Sequence, residues 1–145
     1  MGSPSRPEGS EAVSLPAEDR AAIHELIAKY TVAEDSGQAD DLAALFTEDG
    51  RFTNSKGVSV AGREELARHA RKRWEKPAAR DIVHLVGNVT VEATSDGARA
   101  ESAAMSVLRH ADGFTIRDLV SKVDELRRED GRWLFSSRTI VPTQR

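Results

Sequence analysis

In the stretch Asp81-Ile-Val-His84-Leu-Val-Gly-Asn88-Val-Thr-Val-Glu92, one imidazole sits among branched apolar residues of the kind that fill β-strands. Imidazole has an ordinary pKa near 6.5, so it can take up and release a proton at neutral pH. In a strand it is either a hydrogen-bonded core residue or a base facing a ligand, depending on what meets it. The other histidines are scattered: His24 and His69 fall on charge-rich helical segments, where solvent is expected around them, and His110 precedes a turn. With no cysteine and no regular histidine spacing, no metal site is expected. Phosphate-binding glycine loops, nucleophile elbows and metal-binding helix motifs are missing from the sequence. Any chemistry is therefore expected to be acid–base work without a cofactor.

The chain that must position this histidine has 145 residues, 39% hydrophobic and 31% charged, enough for one core and too few for two ordinary domains. Its 21 basic and 24 acidic residues are interspersed and leave a formal charge of −3. No single-sign field points to a nucleic acid or a membrane surface, and a small, weakly charged ligand fits better. No apolar run approaches the roughly 20 residues of a spanning helix, and residues 1–14 lack the apolar stretch of a secretory signal, so a cytosolic protein is expected. Those first 14 residues are rich in Pro, Gly and Ser and are expected to be a disordered tail before a single domain over 15–145.

Residues 15–35 carry Ile23, Leu26, Ile27 and Tyr30 at helical spacing, with Pro16, Glu18 and Asp19 suited to the first turn. After the stop at Gly37, a short second helix is predicted over 41–46 from Leu42, Leu45 and Phe46. Residues 51–60 suit two short strands around Ser55-Lys56-Gly57, and 63–75 suit a third helix that Pro77 ends. From Asp81 the period changes to two, and turns at Ser95-Asp96-Gly97, Ala111-Asp112-Gly113 and Glu129-Asp130-Gly131 predict a four-strand antiparallel meander. The run 114–128 could also be a helical face, but Phe114, Ile116, Asp118 and Val120 alternate as a strand does. Helices followed by strands predict an α+β layer, the helices packed on one face of a curved sheet.

This order resembles the cone-shaped fold of nuclear transport factor 2, ketosteroid isomerase and scytalone dehydratase, and local patterns point to the SnoaL-like polyketide cyclases and dehydratases. Ala22-Ile-His-Glu-Leu-Ile-Ala-Lys-Tyr30 with Asp35-Ser-Gly37 is similar to the group's first helix. Asp41-Leu-Ala-Ala-Leu-Phe-Thr-Glu-Asp-Gly50-Arg-Phe52 is similar to its second helix and first strand. Ala61-Gly-Arg-Glu64, His84-Leu-Val-Gly-Asn88 and Asp130-Gly-Arg-Trp133 with Arg138 are similar to the third helix, the central strand and the closing strand. The resemblance spans nearly all of 15–141. It implies a cone with about three N-terminal helices on the concave face of an antiparallel sheet, and a homodimer formed through the sheet. The activities it implies are those of a fold that also serves isomerases, epoxide hydrolases and modules without chemistry.

Members resembling scytalone dehydratase use a tyrosine and an aspartate from the first helix with a histidine from the central strand, and Tyr30, Asp35 and His84 occupy the matching places. In that arrangement His84 is the base, Asp35 its orienter and Tyr30 the acid or oxyanion donor. Tyr30 and Asp35 lie about 140° apart on a helix, so they flank its apolar stripe. A bulge at Gly87-Asn88 would put His84, Val86, Val89 and Val91 on one face. Asn54, Trp74, Asn88, Met105, His110 and Arg138 are candidates for the pocket or for secondary roles. On the strand run between the Asp96-Gly97 and Asp112-Gly113 turns, either Ala98, Ala100, Ser102, Ala104 and Ser106 or the opposite set with Met105 and Val107 could face inward. The expected activity is dehydration, isomerisation or cyclisation of an apolar oxygenated substrate. The alternatives are a ligand-binding or assembly module, and epoxide opening by Asp35 with Glu101 or Asp118.

Overall fold

A computed structural model of the chain describes residues 14–143, so nearly all of the expected tail at 1–14 lies outside the described residues. Helix α1 (Ala17–Asp35) carries Glu18 and Asp19 in its first turn and buries Ile23, Leu26, Ile27, Tyr30 and Ala33. Helix α2 (Ala39–Ala44) is shorter at its end than its apolar spacing predicts, because strand β1 (Phe46–Thr53) starts at Phe46. The reason is a competing backbone partner. The Phe135 N–H donates to the Leu45 carbonyl at 2.9 Å, and Phe46 registers beside Phe135, with its ring in the core. Strand β2 (Ser59–Ala61), helix α3 (Arg63–Trp74) and a 3-10 turn at Pro77–Asp81 lead to the meander β3 (Ile82–Thr94), β4 (Gly97–His110), β5 (Gly113–Glu129) and β6 (Arg132–Pro142). The ambiguous run at 114–128 is strand throughout.

The six strands form one curved sheet in the order β2-β1-β6-β5-β4-β3. Four of the five strand pairings are antiparallel, as the expected hairpin and meander require, but β1 lies parallel to β6, which corrects the expected antiparallel sheet to a mixed one. A parallel pair needs a long crossover, and α3 with the first three meander strands supplies it. The bulge predicted at Gly87-Asn88 is present: β3 slips against β4 between Gly87 and Thr90, and Asn88 takes φ 53, a left-handed conformation that asparagine tolerates. Ile82, His84 and Val86 before it, and Val89, Val91 and Ala93 after it, are then the partly buried residues of the strand. On β4 the small set faces inward: Ala98, Ala100, Ser102, Ala104 and Ser106 are buried. Met105 pairs with exposed Leu85 and Leu119 on the outer side.

Gly37 is the hinge between α1 and α2, and it also seats Trp74. Its φ is +71, and a Cβ built there would lie 2.4 Å from the Trp74 indole. Gly37→Ala therefore combines a left-handed alanine with an overpacked contact, and is expected to lose about 2 to 3 kcal/mol of stability. A urea midpoint unchanged from wild type would show that the indole moves aside freely.

Candidate active site

Small side chains on β4 leave space above the inner sheet, and α1 and α3 cover it. The result is a cavity of about 560 Å³ whose lining includes Tyr30, Asp35, Trp74, His84, Ser106 and Lys122. Asp35 is the last residue of α1 and His84 the third residue of β3. One carboxylate oxygen of Asp35, Oδ2, accepts the main-chain N–H of His84 at 2.8 Å. The other, Oδ1, lies 2.6 Å from His84 Nδ1. An ionised carboxylate only accepts hydrogen bonds, so Nδ1 carries the hydrogen and donates. Nε2 is then the basic nitrogen, on a ring that lines the cavity. The two-point grip fixes both ring orientation and tautomer, the arrangement a general base requires.

A second layer of charge lies deeper. Glu34, next to Asp35, forms a short ion pair with Arg73 of α3, and its Oε1 lies 3.4 Å from His84 Nδ1. Burial pushes the Glu34 carboxyl up, but Lys122, Arg73 and His84 outweigh it and hold the group below its ordinary range. On β5 and β6, Asp124 and Arg138 are fully buried and pair at 3.0 Å from Nε to Oδ1. The contact is charge against charge rather than an aligned hydrogen bond, since neither side chain has a well-directed partner. The Arg138 guanidinium lies 4.3 Å from the centre of the Tyr30 ring, and Lys122 Nζ lies 5.2 Å from it. Burial, reinforced by Glu34, drives the Tyr30 phenol well above its ordinary value, so it remains a neutral O–H donor.

Lys122 is 4% exposed. Burial, and then Arg138, lower its ammonium from 10.5 to about 8, against the pull of Glu34 and Asp124. A lysine depressed in the folded state costs stability while it is charged. Between about pH 8 and 10 the unfolded chain still holds the proton that the folded chain has released, so stability rises with pH. Above pH 10 the Tyr30 phenol works the other way, ionising in the unfolded chain first. Wild type is therefore expected to gain about 2 kcal/mol between pH 8 and 10, and Lys122→Met to gain none of it. Urea denaturation at the two pH values checks this, and equal slopes for the two proteins would contradict it.

The SnoaL-like domain family matches residues 16–139 of this chain. The chain belongs to the SnoaL-like family. No curated protein matches it. A protein of unknown function from Mycobacterium tuberculosis is 27% identical, with a TM-score of 0.76 over 88% of this chain and 73% of that one. A protein of unknown function with a cystatin-like fold from Nostoc punctiforme is 26% identical, with a TM-score of 0.79 over 89% and 94%. A nuclear transport factor 2-like protein with a cystatin-like fold from Novosphingobium aromaticivorans is 26% identical, with a TM-score of 0.80 over 88% and 83%.

In this SnoaL-like protein the cavity brings together Tyr30, Asp35 and His84, with Trp74 and Asn54 also on its lining. Asn54 is occupied in part by its own turn, since its side-chain oxygen accepts the N–H groups of Lys56 and Val58. Four candidates do not line the cavity. Met105 is on the outer parity of β4, and Asn88 is the exposed bulge residue. His110, exposed at a strand end, has Nε2 2.7 Å from the Thr115 hydroxyl. Arg138 lies beneath Tyr30 rather than beside a ligand. His69 is solvent-exposed as expected, yet it stands on the cavity rim beside Phe52. Of the carboxylates considered for epoxide opening, Asp118 lines the cavity, whereas Glu101 is exposed off it near Arg99.

The residues that sequence reasoning missed are Glu34, Arg73, Lys122 and Asp124. For two of them the signal was available: the alternation through Asp118 and Val120 continues to Lys122, Asp124 and Leu126, so two charges share the buried parity of β5. Among the described residues, Glu34, Asp35 and His84 are the group whose ligand atoms converge within 4.8 Å, as a metal would need. Arg73 already holds Glu34, and His84 holds both oxygens of Asp35. A cation would have to displace those partners.

Proposed function

We propose that this SnoaL-like protein is a cofactor-independent acid–base enzyme acting on a small, apolar, oxygenated substrate. The observation that carries this reading is the 2.6 Å contact between Asp35 and His84 Nδ1, which leaves Nε2 basic on a cavity wall. Nε2 would take a proton from the carbon next to a carbonyl. The electron pair of that C–H bond moves to the carbonyl oxygen, the imidazolium is stabilised by Asp35, and the Tyr30 hydroxyl donates to the oxygen. Loss of water, a double-bond shift or ring closure then follows according to where the substrate carries its leaving group. Family membership supports the reading without naming the reaction.

The test is native mass spectrometry of the purified protein for a retained small molecule, followed by its turnover with wild type and His84→Ala. Conversion by wild type with loss in the variant supports the enzyme. Binding without turnover by either protein identifies a ligand-binding module instead.

The outer sheet face supports pairing of two copies. Leu85, Ile116 and Leu119 are exposed there around Met105 and Val107. Leu85→Asp is expected to shift sedimentation from dimer to monomer, and a wild type that sediments as a monomer at all concentrations removes the proposal.

A further inference from the structure

Lys122 is the buried ammonium that the acid–base scheme leaves without a task. It lines the cavity, it is almost wholly covered by protein, and among the described residues its Nζ has neither a hydrogen bond nor an ion pair within 4 Å. The other cations of the cavity are accounted for. Arg73 is taken by Glu34, while Arg117, Lys72 and Lys76 are exposed. Asp124 is taken by Arg138. A desolvated ammonium held only by the face of the Tyr30 ring and by the more distant Glu34 and Asp124 carboxylates is costly to keep, and the free direction for its N–H groups is the cavity. We propose that Lys122 is the anion-binding pole of the cavity, and that the ligand carries an ionised or ionising oxygen, a carboxylate, phenolate or enolate, that docks on Nζ.

The arrangement of charge supports this. Glu34, Asp35 and Asp124 are matched in number by Arg73, Arg138 and Lys122, with Arg73 on Glu34, Arg138 on Asp124, Asp35 holding His84, and Lys122 uncommitted. Moving a proton from a ligand carbon to Nε2 makes a cation beside Asp35 and an oxyanion at Lys122, so both new charges meet a fixed opposite one. Tyr30, whose ring Lys122 overlies, presents its neutral hydroxyl in the same region. The proposal rests on this cavity being the ligand site, as in the proposed function, but not on His84 turning anything over.

The experiment is calorimetric titration with two probes of one shape, 2-naphthoate and 2-naphthamide. Wild type is expected to bind the naphthoate about 10- to 100-fold more tightly than the amide, the range a hydrogen bond to a charged group supplies. Lys122→Met should erase that preference while changing amide affinity less than about threefold, and Lys122→Arg should keep part of it. His84→Ala should keep it as well, which separates this result from any failure of the catalytic reading. A second measurement needs no variant. Around Lys122 stand Glu34 and Tyr30 of α1, Arg73 of α3, Asp124 of β5 and Arg138 of β6, and His84 of β3 lines the same cavity. Arg73 and Arg138 stay charged, Tyr30 stays neutral, and Lys122 is the group that loses charge on the alkaline side. Wild-type affinity for naphthoate should therefore fall as pH rises beyond about 8, while amide affinity stays level. Equal affinity for the two probes, no naphthoate binding at millimolar concentration, or a preference that survives in Lys122→Met would each overturn the proposal.

Discussion

Asp35→Asn is expected to lower turnover about 10²- to 10⁴-fold while leaving the protein folded, which makes it a sharper test of the dyad than deleting the imidazole. The asparagine side chain has one acceptor and one donor. Its oxygen can keep the bond from the His84 main-chain N–H, now at 2.8 Å. Its NH₂ then faces His84 Nδ1, now 2.6 Å from a carboxylate oxygen. A donor at that place makes Nδ1 the acceptor and moves the hydrogen to Nε2, so the ring keeps its position but loses its basic nitrogen toward the cavity. His84→Ala removes the base outright, and the double variant should be little worse than either single one, because both disable the same group. Single-turnover rates for the three variants, with ligand affinity measured alongside, decide the matter. Full activity in Asp35→Asn would mean that the ring works in either tautomer, or that it does not move the proton.

Glu34 sharpens the same experiment. Its Oε1 is buried without a hydrogen-bond partner and lies 3.4 Å from Nδ1, so a second negative charge faces the imidazole. It still leaves the tautomer to Asp35, which is closer by most of an ångström and also holds the main chain. Losing Asp35 thus removes orientation, whereas Glu34 can retain part of the charge stabilisation.

Much of this architecture was legible because local signals and buried faces agree. The period change at Asp81 and the three Asp-Gly turns marked the meander, and Gly87-Asn88 marked the bulge that keeps His84 and Val91 on one side. Where sequence reading stopped, a partner distant in the chain decided the outcome. Phe46 has the spacing of a helix residue, but its strand pairing with Phe135, 89 positions away, takes it out of α2. Met105 and Ser106 are equally plausible inward residues until the registers of β3 and β5 on either side are known. Arg138 could be singled out, yet its role could not be read, because Asp124 and Tyr30 come from other elements. The dyad lay between these cases: family resemblance named its members, but only the end of α1 meeting the start of β3 sets their separation.

Arg138→Met is the second large effect, an expected loss of about 3 to 5 kcal/mol, since it leaves Asp124 buried with its ionic partner gone. Both residues are fully buried and sit side by side in the β5–β6 register. Burial already pushes the Asp124 carboxyl above its ordinary value against the pull of Arg138 and Lys122, and removing the guanidinium pushes it further. The sign of the pH dependence follows. A carboxyl raised in the folded state binds a proton before the unfolded one does, so the deficit of Arg138→Met should shrink as pH falls through the folded value toward 3.8. Replacing both residues, as in Asp124→Leu with Arg138→Met, should recover most of the loss, because two desolvated charges leave together. Urea denaturation of the single and double variants at two pH values checks both points, and a single-variant loss below about 1 kcal/mol would mean that Asp124 is already neutral. If the pair is so replaceable, its worth lies in its neighbours. Arg138 supports the face of Tyr30 and is, after burial, the largest cause holding the Lys122 ammonium near 8. The variant that restores stability should therefore let Lys122 hold its proton to a higher pH, and the alkaline fall in naphthoate affinity should move up with it.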